Sequence, residues 1–238
     1  MAMTSKEKKP EIPNNATIEA YYKDNGDELI SKGDTNIGNR FDLITGRKFK
    51  KDDGSVISND VTLSQPASEV LTLIRKDNDW YIVMGIQSRS PFLVSAGGKI
   101  YLKKFFEQVG GLVEDGDDFL STAIKEAAQE LGAKIKFISE LISPILYKHV
   151  SYTDEVSKLY WAIAETLVDQ NLDDGESINV QLIRLSDAKK EYFSYLNGLT
   201  DSFFGFDIPD ITMLSLLIFF WKLETGEINL NKPVGNLI

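Results

Sequence analysis

No stretch constrains this chain more than Gly110 to Ala133, GGLVEDGDDFLSTAIKEAAQELGA. A double glycine and an acidic turn lead into a helical pattern carrying Glu126 and Glu130, and carboxylates at i and i+4 share one helical face. Two like charges so placed oppose the helix by roughly 0.2–0.5 kcal/mol. That penalty becomes an advantage when the face holds a divalent cation, so the pattern points to metal and phosphate chemistry.

The spacing narrows this further. Five residues separate Gly111 from Asp117, and seven more lead to Lys125-Glu126-Ala127-Ala128-Gln129-Glu130-Leu131-Gly132-Ala133. The pattern resembles the Nudix box, in which Gly, five residues, Glu and seven residues precede Arg-Glu-aliphatic-any-Glu-Glu-any-Gly-aliphatic. The resemblance implies a loop-helix-loop whose divalent cations, Mg²⁺ or Mn²⁺, hold a pyrophosphate. Asp117 and Lys125 replace the family's Glu and Arg as a pair; opposite charge survives, but the planar fork of Arg does not. Gln129 replaces the first of two adjacent glutamates. Its amide oxygen can ligate Mg²⁺ without adding charge, and Glu126 and Glu130 still meet the one or two carboxylates that Mg²⁺ commonly uses.

Segments outside the box resemble the ADP-ribose pyrophosphatase branch of that family, which includes nucleotide-sugar hydrolases. Gln87-Ser88-Arg89 stands where the branch has Gln-aromatic-Arg, and Glu107-Gln108-Val109-Gly110-Gly111 where it has Glu-aliphatic-Pro-Ala-Gly. Tyr147 to Val156 lines up with its Tyr-Pro-Ser-Pro-Gly-Phe-Thr-Asp-Glu-Val loop, which places the loop glutamate on Glu155 and replaces Ser-Pro-Gly by His149-Val150-Ser151. The resemblance implies a metal site of the Gly110 carbonyl, Glu126, Gln129 and Glu130. It implies catalytic roles for Glu126 and Glu155, and substrate contacts from Arg89, Glu107 and Gly111.

Composition bounds the remaining choices. The 238 residues, 42% hydrophobic and 26% charged, suit a soluble globular chain of one domain plus an appendage. With no cysteine there is no disulfide, thiolate metal site or cysteine nucleophile, and the single histidine, His149, excludes a multi-histidine centre. A net charge of −10 argues against a nucleic-acid surface. The short basic runs at Lys6 to Lys9 and Arg47 to Lys51 read as a solvated tail and hairpin. No secretory signal is evident, so a cytoplasmic location is expected. The longest apolar run, Ile211 to Leu223, is too short to span a bilayer and reads as a buried helix, with Trp80, Trp161 and Phe219-Phe220-Trp221 as core.

Along the chain, residues 1–15 read as a disordered tail and residues 16–66 as a β-rich extension, with a hairpin turning at Asp52-Asp53-Gly54. By resemblance this hairpin exchanges between the subunits of a homodimer. Residues 67–238 form the main domain, with strands at Glu69–Arg75, Trp80–Ile86 and Phe105–Val109 and a loop through Pro91 and Gly97-Gly98. Helix Phe119–Leu131 is capped by Asp117 or Asp118 and stopped by Gly132. Strands near Lys134–Ile145, Val156–Glu165 and Val180–Leu185 follow, then helices from Ser186 and over Pro209–Leu223. The expected fold is α/β, a Nudix α/β/α sandwich with a mixed sheet. The expected function is Mg²⁺-dependent hydrolysis of a nucleoside diphosphate linked to another group, with ADP-ribose cut to AMP and ribose 5-phosphate. The alternative is a catalytically weakened domain serving as nucleotide sensor or scaffold.

Overall fold

A computed structural model describes residues 34–37, 41–50, 56–96, 99–147, 155–173 and 177–237, which fall into two compact units. The first holds a three-stranded antiparallel sheet of β1 (Asp34–Ile37), β2 (Phe41–Lys50) and β3 (Val56–Ser64). Strands β2 and β3 pair from Phe41 opposite Ser64 to Lys50 opposite Val56, the hairpin expected from the alternating pattern. Its turn, Asp52-Asp53-Gly54, and the tail 1–15 lie outside the described residues, as do Gly97-Gly98 and His149.

The second unit, Pro66–Tyr147 with Val156–Ile238, is an α/β sandwich. Its elements are β4 (Ala67–Lys76), β5 (Asp79–Ala96), β6 (Lys99–Glu107), β7 (Val109–Leu112), α1 (Phe119–Leu131), β8 (Ala133–Glu140), β9 (Leu146–Tyr147), β10 (Val156–Leu167), β11 (Ile178–Arg184), α2 (Leu185–Leu196), α3 (Asp210–Thr225) and β12 (Asn236–Leu237). The sheet runs β11-β5-β4-β10-β8-β12, with β6 on β5, β7 on β4 and β9 on β10. The β4–β10 pair is parallel and its neighbours are antiparallel, so the sheet is mixed.

Period-two alternation divides the core between the two faces. Leu71, Leu73, Leu159, Trp161 and Ile163 face α2 and α3, where they meet Tyr192, Leu216, Phe219 and Phe220. Their neighbours Val70, Ile74, Tyr160, Ala162 and Ala164 face α1 and pack on Ala123, Ala127 and Leu131. The small residues of β10 and α1 on that side let the helix lie close to the sheet.

Three expectations need correction. The segment through Pro91 is strand, not loop: β5 runs on to Ala96 against β6, and the pairing slips between Arg89 and Leu93. A bulge there tolerates a proline that cannot donate to the ladder. The strand placed over Lys134–Ile145 ends at Glu140. Helix α3 is only partly buried. Phe219 and Phe220 lie in the core, but Leu214, Leu217 and Trp221 are exposed, Trp221 by 53%.

Trp161, 3% exposed, packs its ring 4.9 Å from Phe137 and 6.1 Å from Phe219 between the sheet and α3. Truncation to Ala leaves a cavity that this aromatic layer cannot close. Trp161→Ala is expected to cost about 3–5 kcal/mol of stability in urea unfolding.

Candidate active site

Helix α1 is fixed at both ends. At its start the Asp118 carboxylate accepts the Ser121 backbone N–H at 2.7 Å, and the Asp118 N–H donates to Ser121 Oγ at 2.9 Å, a reciprocal capping box. The hydrogen bond from the Ser121 N–H holds the Asp118 carboxyl below its usual range. Ser68 of β4 donates its hydroxyl to the Phe119 carbonyl at 2.6 Å, tying the first turn to the sheet. At the other end Gly132 has φ +64°, and a Cβ there would strike the Val168 carbonyl, so glycine is needed on two counts.

The segment that follows β10 then supplies partners to the helix carbonyls. Val168 N–H donates to Gly132 O at 2.8 Å, Asn171 N–H to Gln129 O at 2.9 Å, and the Gln170 amide to Glu130 O. These bonds meet the orphan acceptors that every helix C-terminus presents. The turn carrying Gln129 and Glu130 is thereby held in place by residues 168–171, which the sequence pattern did not single out.

Strand β7 brings the glycine turn to the same face. Gly111 pairs with Ser68 and Gly110 with Glu69 across β4. A Cβ on Gly111 would overlap the Glu126 carboxylate and come within 2.8 Å of Glu126 Cγ. The structure therefore packs the Glu126 side chain against bare backbone at Gly111. A Cβ on Gly110 would meet the Glu69 carboxylate and lie 2.6 Å from the Ser68 carbonyl oxygen. Glu69 thus joins the surroundings of the turn, which only the β4–β7 register reveals.

Glu130 and Glu107 are each 7% exposed, Glu126 and Gln129 are half-buried, and Glu126 and Glu130 stand in the C-terminal half of α1. Burial, mutual repulsion and the negative end of the helix dipole all disfavour two anions there. The donors on offer are carboxylate oxygens, the Gln129 amide oxygen and the backbone of a glycine turn, a hard-oxygen set of the kind Mg²⁺ takes. No three His, Cys, Asp or Glu side chains gather into a ready ion site among the described residues.

The brace behind the turn differs from expectation. Lys125 Nζ lies 2.6 Å from Glu114 Oε2 and 3.9 Å from Asp117 Oδ2, so Glu114 is its main partner and Asp117 a secondary one. Asp is one methylene shorter than Glu, and a carboxylate three residues earlier closes the gap. Of the other residues implied by resemblance, Arg89 lies on β5 with its backbone paired to Lys103, and Glu155 immediately precedes β10. Glu155 falls in the first unit and the box in the second.

No protein-family profile matches the chain. It is similar to Nudix hydrolase 14, chloroplastic, of Arabidopsis thaliana, with 35% identity over 111 residues, which are 46% of this chain and 33% of that protein. Over that segment the chain is similar to a member of the Nudix family. The match spans one third of the relative's length. A crystal structure of an ADP compounds hydrolase superposes with a TM-score of 0.59 over 84% of this chain and 94% of the other, at 13% identity, and so shares the fold. Among the described residues, no helix is long and apolar enough to cross a membrane.

The hydrogen bond from Lys125 holds the Glu114 carboxyl below its ordinary 4.5, and the same bond raises Lys125 above 10.5. A lowered acid stabilises fully above its unfolded value and loses that contribution as pH falls through the folded one; a raised base loses it at high pH. The stability gap between wild type and Glu114→Gln is therefore expected to be flat through neutral pH. It should close below pH 4.5 and again above pH 10.5 when followed by chemical denaturation. Both groups are exposed, so the gap is small.

Proposed function

We propose that this chain is a divalent-cation-dependent hydrolase acting on the pyrophosphate of a nucleoside diphosphate linked to another group. The leading substrate is ADP-ribose, with AMP and ribose 5-phosphate as products. The observation that carries the proposal is the packing of Glu126 on the bare backbone of Gly111, with Glu130 buried one helical turn on. A two-ended anchor keeps this otherwise unfavourable arrangement in place. The hydrolase names of the sequence relative and the fold neighbour lend support at the level of reaction class.

In this reading Glu126, Glu130, the Gln129 amide and the Gly110 carbonyl hold Mg²⁺ or Mn²⁺, whose chemistry is to neutralise the diphosphate and acidify a water. Arg89, Glu107 and Gly111 position the substrate. Glu155 or Glu126 accepts the water's proton as its oxygen bonds to phosphorus and the bridging P–O bond opens. The N-terminal hairpin completes the nucleoside pocket from a second subunit, and the protein works in the cytoplasm. With Mg²⁺ and ADP-ribose, AMP release is expected from the wild type and at least about a hundredfold less from Glu130→Gln. Equal rates in the two would remove the metal role of Glu130.

Gln129 favours a second reading, a domain that binds a nucleotide without turning it over. Replacing a carboxylate by an amide leaves a donor but subtracts a charge from a cation site. Gln129→Glu is expected to lower the Mg²⁺ concentration needed for half-maximal turnover. Nucleotide binding in both proteins with turnover appearing only in Gln129→Glu would instead favour the sensor.

A further inference from the structure

On the face of the sheet opposite α1 lies a cleft of about 410 Å³ lined by Arg75, Trp80, Lys136, Phe137, Leu230 and Asn231, among others. Arg75 is the penultimate residue of β4, whose opposite end pairs with the glycine turn. Ser68 and Arg75 are seven strand positions apart, about 23 Å at 3.3 Å per residue. The cleft and the candidate active site are therefore separate places on the same strand.

The C-terminal segment builds one wall. The Asn229 side chain accepts the N–H groups of Asn231 at 3.0 Å and Lys232 at 3.2 Å, shaping the turn beside Leu230. Gly235 then crosses so closely that a Cβ would fall 2.7 Å from the Phe137 ring, and β12 adds to β8 opposite Phe137 and Ile138. The floor is the apolar layer of Phe137 and Ile163. One side is the half-buried Trp80 indole, the cross-strand partner of Arg75.

In a chain of net charge −10, Arg75 and Lys136 make no ion pair among the described residues. The acids closest to them in the strand ladder are engaged elsewhere, Asp79 with Arg184 at 3.3 Å and Glu165 with Lys134 at 3.7 Å. Two uncompensated cations, an indole face, an amide and an apolar floor in a cleft of ordinary ligand size match a small molecule with a flat ring and an anionic end.

We propose that this cleft is a second binding site, for a ligand of the nucleoside monophosphate class, with its phosphate on Arg75 and Lys136 and its base on Trp80. The site needs no divalent cation and does not depend on the reading of the box. The test is isothermal titration of AMP and of inorganic phosphate into the full chain with a chelator present. Wild type and Glu126→Gln/Glu130→Gln are expected to bind AMP alike, with phosphate weaker. Arg75→Gln/Lys136→Gln is expected to lose at least about tenfold in AMP affinity. Trp80→Leu should weaken AMP but leave phosphate unchanged; of the five substituted groups all but Glu130 are exposed or half-buried, and circular dichroism checks the fold. The proposal is overturned by no saturable binding, by binding that survives Arg75→Gln/Lys136→Gln, or by binding lost in Glu126→Gln/Glu130→Gln. Equal affinity for AMP and phosphate overturns the base contact.

Discussion

The parallel pairing of β4 with β10 is the contact on which the larger unit depends. From Ala67 opposite Ser157 to Ile74 opposite Ala164, two strands buried on both faces form the middle of the sheet. Strand β7 attaches to β4 at one end and β5 at the other, while β8 attaches to β10. The alternation of their side chains decides which residues meet α1 and which meet α2 and α3. If this pair slipped by one residue, Trp161 would turn toward α1 and Ala162 toward α2 and α3.

What the sequence makes legible follows from how local the controlling interaction is. The bounds of α1 are readable because Asp118, Ser121 and Gly132 act within a few residues of the helix they end. The structure sets Glu126 against Gly111, residues to which the resemblance to the Nudix box gives metal and substrate roles. Glu69 was missed as a neighbour of Gly110, since its place depends on strand register and not on any pattern within β4. Residues 168–171 were missed for a related reason: backbone N–H groups that reach a distant helix have no side-chain signature. Pro91 misled because proline usually ends a strand, and a register slip accommodates it here. Helix α3 misled because it is apolar on nearly every side, so composition could not tell its buried face from its exposed one.

Anchoring at both ends explains how α1 can carry charges it should avoid. A free helix would relieve Glu126 and Glu130 by fraying its last turn, where hydrogen bonds are fewest. In this chain Val168, Gln170 and Asn171 occupy the carbonyls of that turn, and Ser68 holds the first. The two carboxylates are therefore held in place. On the proposed reading, such oxygen donors would cost little to assemble around a cation, because the fold has already ordered them.

The separation of β4 from β10 also sets a timetable for biosynthesis. Their paired residues stand 90 positions apart in the chain, so the glycine turn and α1 leave the ribosome well before the strand that completes the sheet beneath them. At translation rates of about 5–20 residues per second this interval lasts several seconds, far longer than helix or hairpin formation. For that time β4, apolar along most of its length, has only its antiparallel neighbours β5 and β7 and an open edge on its other flank. The nascent chain is thus most open to wrong edge pairing between the synthesis of Leu131 and that of Leu167, a window during which a chaperone has something to protect.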